Sequence, residues 1–326
     1  MEPLTQTSIV AIRDPSQIGV ARRIALEFAQ ASGMDEQRIS ALNIVIVELA
    51  NNLLQHAGGG DLYIHYMAPI GALDVAAVDH GRGMANVERC LTDGFSTAST
   101  PGLGLGAIRR FATRFGACSL LNRSTVVAAR MSESKPAPEM SVICVAIDGE
   151  ALSGDAWAVS DDGTTFLVVD GLGHGVFAAD AARVAIEVLS RYQSLTPAVL
   201  LERMHAAMHS TRGAAAAIAK VDRTQRRIQF AGIGNISCTL LNEGRTQNLV
   251  SHNGTLGHQM RRVQQFDYDY SPGDLLIMQS DGVSTQSKKG LPSSLLSQPP
   301  MVIAPLIFAE QLRGRDDATL LVNRLA

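Results

Sequence analysis

Residues 166–182 read FLVVDGLGHGVFAADAA: an apolar strand that ends in an acid, then three alternating glycines, then an alanine-rich helix. Such a turn can cradle the phosphates of a dinucleotide, or its aspartate can hold a metal. A dinucleotide fingerprint of the form GxGxxG needs a third glycine. Counted from Gly171 that position is Val176, and counted from Gly173 it is Ala178. The phosphate-turn reading therefore fails on spacing, and Asp170 becomes the informative residue.

Other acids stand in similar places. Asp155 lies in SGDAW, Asp281 in MQSDGVS, and Asp316 and Asp317 in GRDDATLLV, each beside glycine or a polar turn residue and next to an expected core strand. One aspartate before a glycine is ordinarily a turn residue. Several at strand ends would repel one another if the fold gathered them, and a divalent cation removes that penalty. Oxygen donors without a His or Cys cluster favour a hard ion, Mg2+ or Mn2+, and two such ions sharing a carboxylate can activate water and clamp a phosphoryl oxygen. Around these acids strands are expected at 141–147, 156–160, 165–169, 214–221, 227–231, 237–241, 274–279 and 319–322. Helices are expected at about 177–191 and 197–209. Many strands around a helix pair predict an α+β sandwich.

The set SGD, VVDGLGHG, SDG and RDDAT resembles the metal-dependent PP2C-type serine/threonine phosphatases, in the branch typified by stage II sporulation protein E. The resemblance spans residues 141–326 and implies a β-sandwich flanked by helices. It implies that Asp170 bridges two Mn2+ or Mg2+ ions, that the Gly171 carbonyl ligates one, and that Asp155, Asp281 and Asp316 complete the coordination. Asp317 stands where that family has Asp or Asn and is not counted as a ligand. His174, inside the glycine turn, suits a structural or a phosphate-rim role. Trp157 reads as core.

Upstream, MSESKPAPEM at 131–140 has the composition of a linker between two domains, 1–130 and 141–326. The first domain is helix-rich, with apolar periodicity over 16–30 and again over 35–56, where Asp35 opens the run and Gly58-Gly59-Gly60 ends it. Glu48 and Asn52, four residues apart, share one face of that second helix. Strands are expected at 62–67, 72–78, 118–121 and 125–129. VDHGRGM ends a strand at Asp79 and is followed by Gly81 and Gly83. DGFSTASTPGLGLGAIRR then places Gly102, Gly104 and Gly106 ahead of a helix expected at 107–115. Glycines let a backbone approach phosphate, and a helix start offers free N–H groups.

The order ExxxN, DxGxG, GLGLG resembles the GHKL, or Bergerat-fold, ATPases, most closely the serine kinases that act as bacterial switch proteins and anti-sigma factors. DGFST at 93–97 resembles that subset in particular, whereas His80 and Arg82 depart from its acid and proline. The resemblance covers 1–130 and implies an α/β sandwich that binds ATP. In it Asn52 coordinates Mg2+, Glu48 acts as general base, and Asp79 accepts a hydrogen bond from the adenine amino group. Gly81 and Gly83 shape the adenine floor, and Gly102, Gly104 and Gly106 cradle the phosphates.

Composition bounds the rest. The chain has 326 residues, 46% of them hydrophobic and 18% charged, which is globular rather than disordered composition. Basic and acidic residues number 11 and 11 in 1–130, and 16 and 18 in 141–326, so neither half has the basic excess of a nucleic-acid binder. Cys90, Cys118, Cys144 and Cys238 form no CxxC and read as free thiols in a reducing compartment. MEPLTQTSIV lacks a basic leader, and no apolar run reaches the ~18 residues of a membrane span, so a cytoplasmic chain without membrane contact is expected.

Together the resemblances imply a bifunctional kinase and phosphatase that sets the phosphorylation of a STAS-domain antagonist or stressosome-like protein in partner switching. A sigma factor or other regulator is a further implied partner. The rival reading is a phosphatase joined to an ATP-binding module that holds a partner without transferring phosphate. A chaperone- or topoisomerase-like ATPase fits less well, because the first half is too short for a transducer domain.

Overall fold

The computed structural model describes residues 6–87, 104–132, 139–260, 262–285 and 291–326. They form two compact units that are not contiguous in sequence. The first contains Met1–Ala137 together with Ser293–Glu310, and the second contains Pro138–Pro292 together with Gln311–Ala326. The interdomain stretch read from composition is entered by strands from both sides: one strand runs to Ser132 and the next begins at Met140, and Met131 and Met140 are buried.

The first unit holds an antiparallel sheet ordered β1 (Ser8–Ile12), β2 (Gly60–Met67), β3 (Ala72–Asp79), β5 (Ser124–Ser132), β4 (Arg114–Leu120). Three helices, α1 (Ser16–Ala31), α2 (Glu36–Asn52) and α3 (Gly104–Phe111), share one core with one face of this sheet. Alternation along the strands decides which residues meet them: Leu62 and Ile64, Leu73, Val75 and Ala77, and Val127 and Ala129 belong to that core. Asp35 caps α2, its carboxylate accepting from the Arg38 backbone N–H at 2.8 Å. Beyond Asn52 the helix widens into a π-helical turn, Leu53–Ala57, closed by Gly58 at φ 72°. Turns of this kind often mark functional sites.

Residues of the alternate set on the sheet are buried as well. Tyr63 meets Phe308 edge-on at 6.2 Å between ring centroids, and a Cβ on Gly116 would lie 2.8 Å from the Val302 side chain. Both partners belong to α6 (Pro300–Gln311), a helix apolar all round and buried almost throughout. The same side of the sheet carries a buried bidentate ion pair, Arg130 Nε and NH2 to Asp74 Oδ1 and Oδ2 at 2.6 and 2.7 Å.

The second unit contains two five-stranded antiparallel sheets. One is ordered β13 (Phe266–Asp269), β10 (Arg227–Ile233), β9 (Ala214–Asp222), β8 (Thr165–Gly171), β7 (Asp155–Val159). The other is ordered β12 (Thr246–Leu249), β11 (Ser237–Leu241), β14 (Leu275–Gln279), β15 (Ala318–Arg324), β6 (Met140–Val145). Helices α4 (Val176–Arg191) and α5 (Pro197–Ala207) cover the first sheet through Ala182, Ala185, Leu200 and Met204. Trp157 and Phe166 are buried too, and by strand alternation they face away from these helices, with Trp157 in the core as expected. The molecule is therefore α+β: a Bergerat-type α/β sandwich in the first unit and a PP2C-like β-sandwich flanked by helices in the second.

Candidate functional sites

In the first unit the site forms where α2, α3 and the end of β3 meet. A Cβ on Gly104 would lie 2.8 Å from Glu48 Oε2 and 3.4 Å from Asn52 Oδ1, so the fourth-neighbour pair on α2 converges on the start of α3. Both residues are half-buried, yet the Asn52 Nδ2 atom is fully enclosed and has no hydrogen-bond partner among the described residues. An enclosed N–H donor held this way can be satisfied by an acceptor oxygen of a ligand, and Oδ1 is the atom of the same amide that could face a cation. Gly104 and Gly106 lie in the first turn of α3 rather than ahead of it, because the helix starts three residues earlier than its periodicity suggested. Gly102 and the 93–97 run lie outside the described residues.

Asp79 ends β3, and its Oδ1 accepts from the Gly81 N–H at 2.8 Å. Burial pushes its carboxyl up despite that bond. Gly83 sits at φ 78°, where a Cβ would lie 2.7 Å from Ser119 Oγ. His80 Nδ1 lies 3.2 Å from both Ser124 Oγ and the Arg123 carbonyl, which ties the departure from the family pattern to the neighbouring strands.

In the second unit the acids arrive on different strands. Asp155 begins β7 and Asp170 is the penultimate residue of β8, and the two are direct partners across that ladder. Asp281 follows β14, and Asp316 and Asp317 precede β15. Burial, and after it the Asp170 charge, holds the Asp155 carboxyl well above the usual carboxylate range. Burial and the Asp281, Asp316 and Asp317 charges push Asp170 up to about 7. The carboxylates are thus close enough to perturb one another. Among the described residues, however, no three His, Cys, Asp or Glu side chains stand at the spacing that would hold one ion. The feature that fits a cation is Asp155: its Oδ2 accepts from Ser280 Oγ at 2.5 Å, while its Oδ1 is buried with no hydrogen-bond partner among the described residues. With Asp170, Asp281 and the Gly171 carbonyl, the donors are all oxygen, which suits Mg2+ or Mn2+.

The glycines of the quoted turn are sterically required. A Cβ on Gly171 would lie 2.2 Å from the Ala178 carbonyl, and Gly173 and Gly175 sit at φ 83° and 72°. Asp317, not counted as a ligand from sequence, accepts through its two oxygens from the Ile147 and Gly154 backbone N–H groups at 2.8 and 2.7 Å. His174 pairs with Glu150 at 2.7 Å on the surface. Sequence reading passed over Asn235, whose Nδ2 donates to Asp281 Oδ2 at 2.8 Å, and Ser280, although Ser280 directly precedes Asp281.

The family model described as Stage II sporulation protein E (SpoIIE) matches residues 160–326. The chain belongs to the SpoIIE family. A second model, the histidine kinase-like ATPase domain, matches residues 12–131, so the chain is a fusion of a kinase-like ATPase domain and a SpoIIE-type, PP2C-class phosphatase domain. Asp155 lies just outside the SpoIIE match.

Two Bacillus subtilis (strain 168) proteins are similar. Serine/threonine-protein kinase RsbT is 29% identical over 128 residues, covering 39% of this chain and 96% of RsbT. Phosphoserine phosphatase RsbX is 26% identical over 140 residues, covering 42% of this chain and 70% of RsbX. Among solved structures, one described as "The bacterial stressosome: a modular system that has been adapted to control secondary messenger signaling" aligns at TM-score 0.51 and 29% identity, covering 57% of this chain and 98% of that one. RsbX in complex with magnesium aligns at TM-score 0.51 and 24% identity, covering 57% and 94%, a likeness of fold. No described helix is long and apolar enough to cross a membrane.

Proposed function

We propose that this SpoIIE-family fusion is a bifunctional enzyme: a protein-serine kinase in its first unit and a metal-dependent phosphoserine/phosphothreonine phosphatase in its second. Its substrate is a STAS-domain antagonist or stressosome-like protein in a partner-switching pathway, and a sigma factor or other regulator is a further partner. The observation that carries the reading is the pairing of relatives, since one chain holds counterparts of a named protein kinase and a named phosphoserine phosphatase.

In the first unit ATP and Mg2+ are the cofactors. Asn52 would hold the ion against the phosphates, Asp79 would accept from the adenine amino group above Gly81 and Gly83, and Gly102, Gly104 and Gly106 would admit the phosphates. Glu48 takes the proton of the substrate hydroxyl as its oxygen bonds to the γ-phosphorus and ADP departs. A base beside the metal-holding amide favours transfer over mere nucleotide binding, because binding alone needs no proton acceptor.

In the second unit Asp155, Asp170, Asp281, Asp316 and the Gly171 carbonyl would hold two Mn2+ or Mg2+ ions, which supply charge to activate water and clamp the phosphoryl group. Ser280 and Asn235 orient Asp155 and Asp281 for that task, and Asp317 fixes the Gly154 turn behind them. Water adds to phosphorus, the seryl oxygen leaves with a proton, and inorganic phosphate is released. The two activities do not simply burn ATP if they act at different times or on different partners.

Incubation with labelled ATP and a candidate STAS protein, with and without Mn2+, tests both halves. Label should enter the partner and, with Mn2+, leave it. Glu48→Ala should stop entry and Asp170→Asn should stop release. Undiminished labelling by Glu48→Ala would replace the kinase with the non-transferring ATP-binding module.

A further inference from the structure

Beside the acids of the second unit stands a cation with no assigned task. The β8–β9 pairing runs past its last ladder residues: the Leu172 N–H donates to the Gly213 carbonyl at 2.9 Å, one step beyond the Gly171–Ala214 pair. Arg212 thus comes next to the glycine turn, at Gly173, which follows Asp170 by three residues in the chain. The Arg212 guanidinium lies over the glycine turn, with NH1 3.1 Å from where a Gly173 Cβ would sit. It stacks on Phe177 at 4.9 Å to the ring centroid.

Two features make this more than surface decoration. Arg212 is exposed, and no carboxylate pairs with it among the described residues, although the neighbourhood is rich in acids. Phe177 is itself 63% exposed, so the stacking orders the guanidinium at the surface without burying it. The adjoining cleft, of about 340 Å3, is lined by Leu172, Asn235, Asn253 and Thr255 among others. Its lining is neutral, amide and hydroxyl groups beside the apolar Leu172 and Ala215, and Asn235 links it to Asp281. The phosphate of a phosphoester fits the guanidinium as a planar, bidentate acceptor. The uncharged peptide around it fits the cleft.

We infer that Arg212, held by Phe177, is the residue that receives the substrate's phosphoryl group at the second site and selects phosphomonoesters carried on uncharged segments. This rests on the phosphatase reading above. Mn2+-loaded full-length chain provides the test, with Arg212→Ala and Arg212→Lys compared. Inorganic phosphate binding is followed by calorimetry, and p-nitrophenyl phosphate turnover is followed alongside it. Loss of a charge-assisted, bidentate contact should weaken phosphate binding and raise KM about tenfold while kcat stays within about twofold, with Lys recovering part of the loss. Mn2+ affinity and Tm should not move. Phosphate affinity and KM within about twofold of wild type in Arg212→Ala, or a loss confined to kcat, would overturn the inference. A wild-type chain that turns nothing over would remove the phosphatase reading and this inference with it, whereas turnover whose KM is unmoved by Arg212→Ala would overturn this inference alone.

Discussion

Single atoms decide much of both sites. Gly104 is the clearest case, because any side chain there enters the space that Glu48 and Asn52 share. Gly104→Ala should leave the circular-dichroism spectrum unchanged and lower phosphoryl transfer from ATP about 100-fold, the usual cost of displacing a reacting group by an ångström. Asp170 makes a second prediction, one with a sign. Its folded carboxyl titrates at about 7, above the ordinary value of 3.8, so the folded chain binds more protons than the unfolded one between those limits. In EDTA the ionised Asp170 should therefore destabilise the fold increasingly as pH rises from 4 to 7. The Tm of Asp170→Asn should exceed that of wild type by a margin that grows over that window, and added Mn2+ should raise the Tm of wild type alone. A margin that shrinks with rising pH would contradict the assignment.

Elements show where sequence reading reached and where it stopped. Long periodic or alternating segments were legible: α2 with its Asp35 cap, the ladder of β7, β8 and β9, and the glycine turn that leads into α4. The acids were legible as strand-end residues, but their mutual distances were not, since those depend on sheet register. Helix α6 escaped because PMVIAPLIFAEQ has no polar face to give a helical period and carries proline at its start and at Pro305. β1 was missed because SIVAI is too short to separate from a helix lead-in, and β12 and β13 because four residues carry little alternation. The same helix yields a prediction. Gly116 exists so that α6 can approach β4, and Gly116→Ala places a methyl 2.8 Å from Val302. Overpacking of that kind should cost about 1–3 kcal/mol in urea unfolding, with activity at the second site retained in native buffer.

At the scale of the whole molecule, the first unit is incomplete without residues that the chain supplies much later. A truncation ending at residue 137 would keep β1 to β5 and α1 to α3 but lose Phe308 from Tyr63 and Val302 from Gly116. It would also leave Ser124 without the Glu310 carboxylate that accepts from it at 2.9 Å. Such a fragment should bind the dye ANS and aggregate, while the full chain does neither, because it exposes apolar sheet. A soluble, dye-silent fragment would show that α6 is dispensable. The late arrival of α6 also sets a timetable on the ribosome. About 160 residues separate the end of β5 from the segment that lies against its sheet. At ~5–20 residues per second, a nascent chain waits roughly 8–30 s with that surface bare. A trigger-factor-like holdase is then most needed during synthesis of the second half, and slowing translation there should lower the yield of native protein more than slowing it earlier.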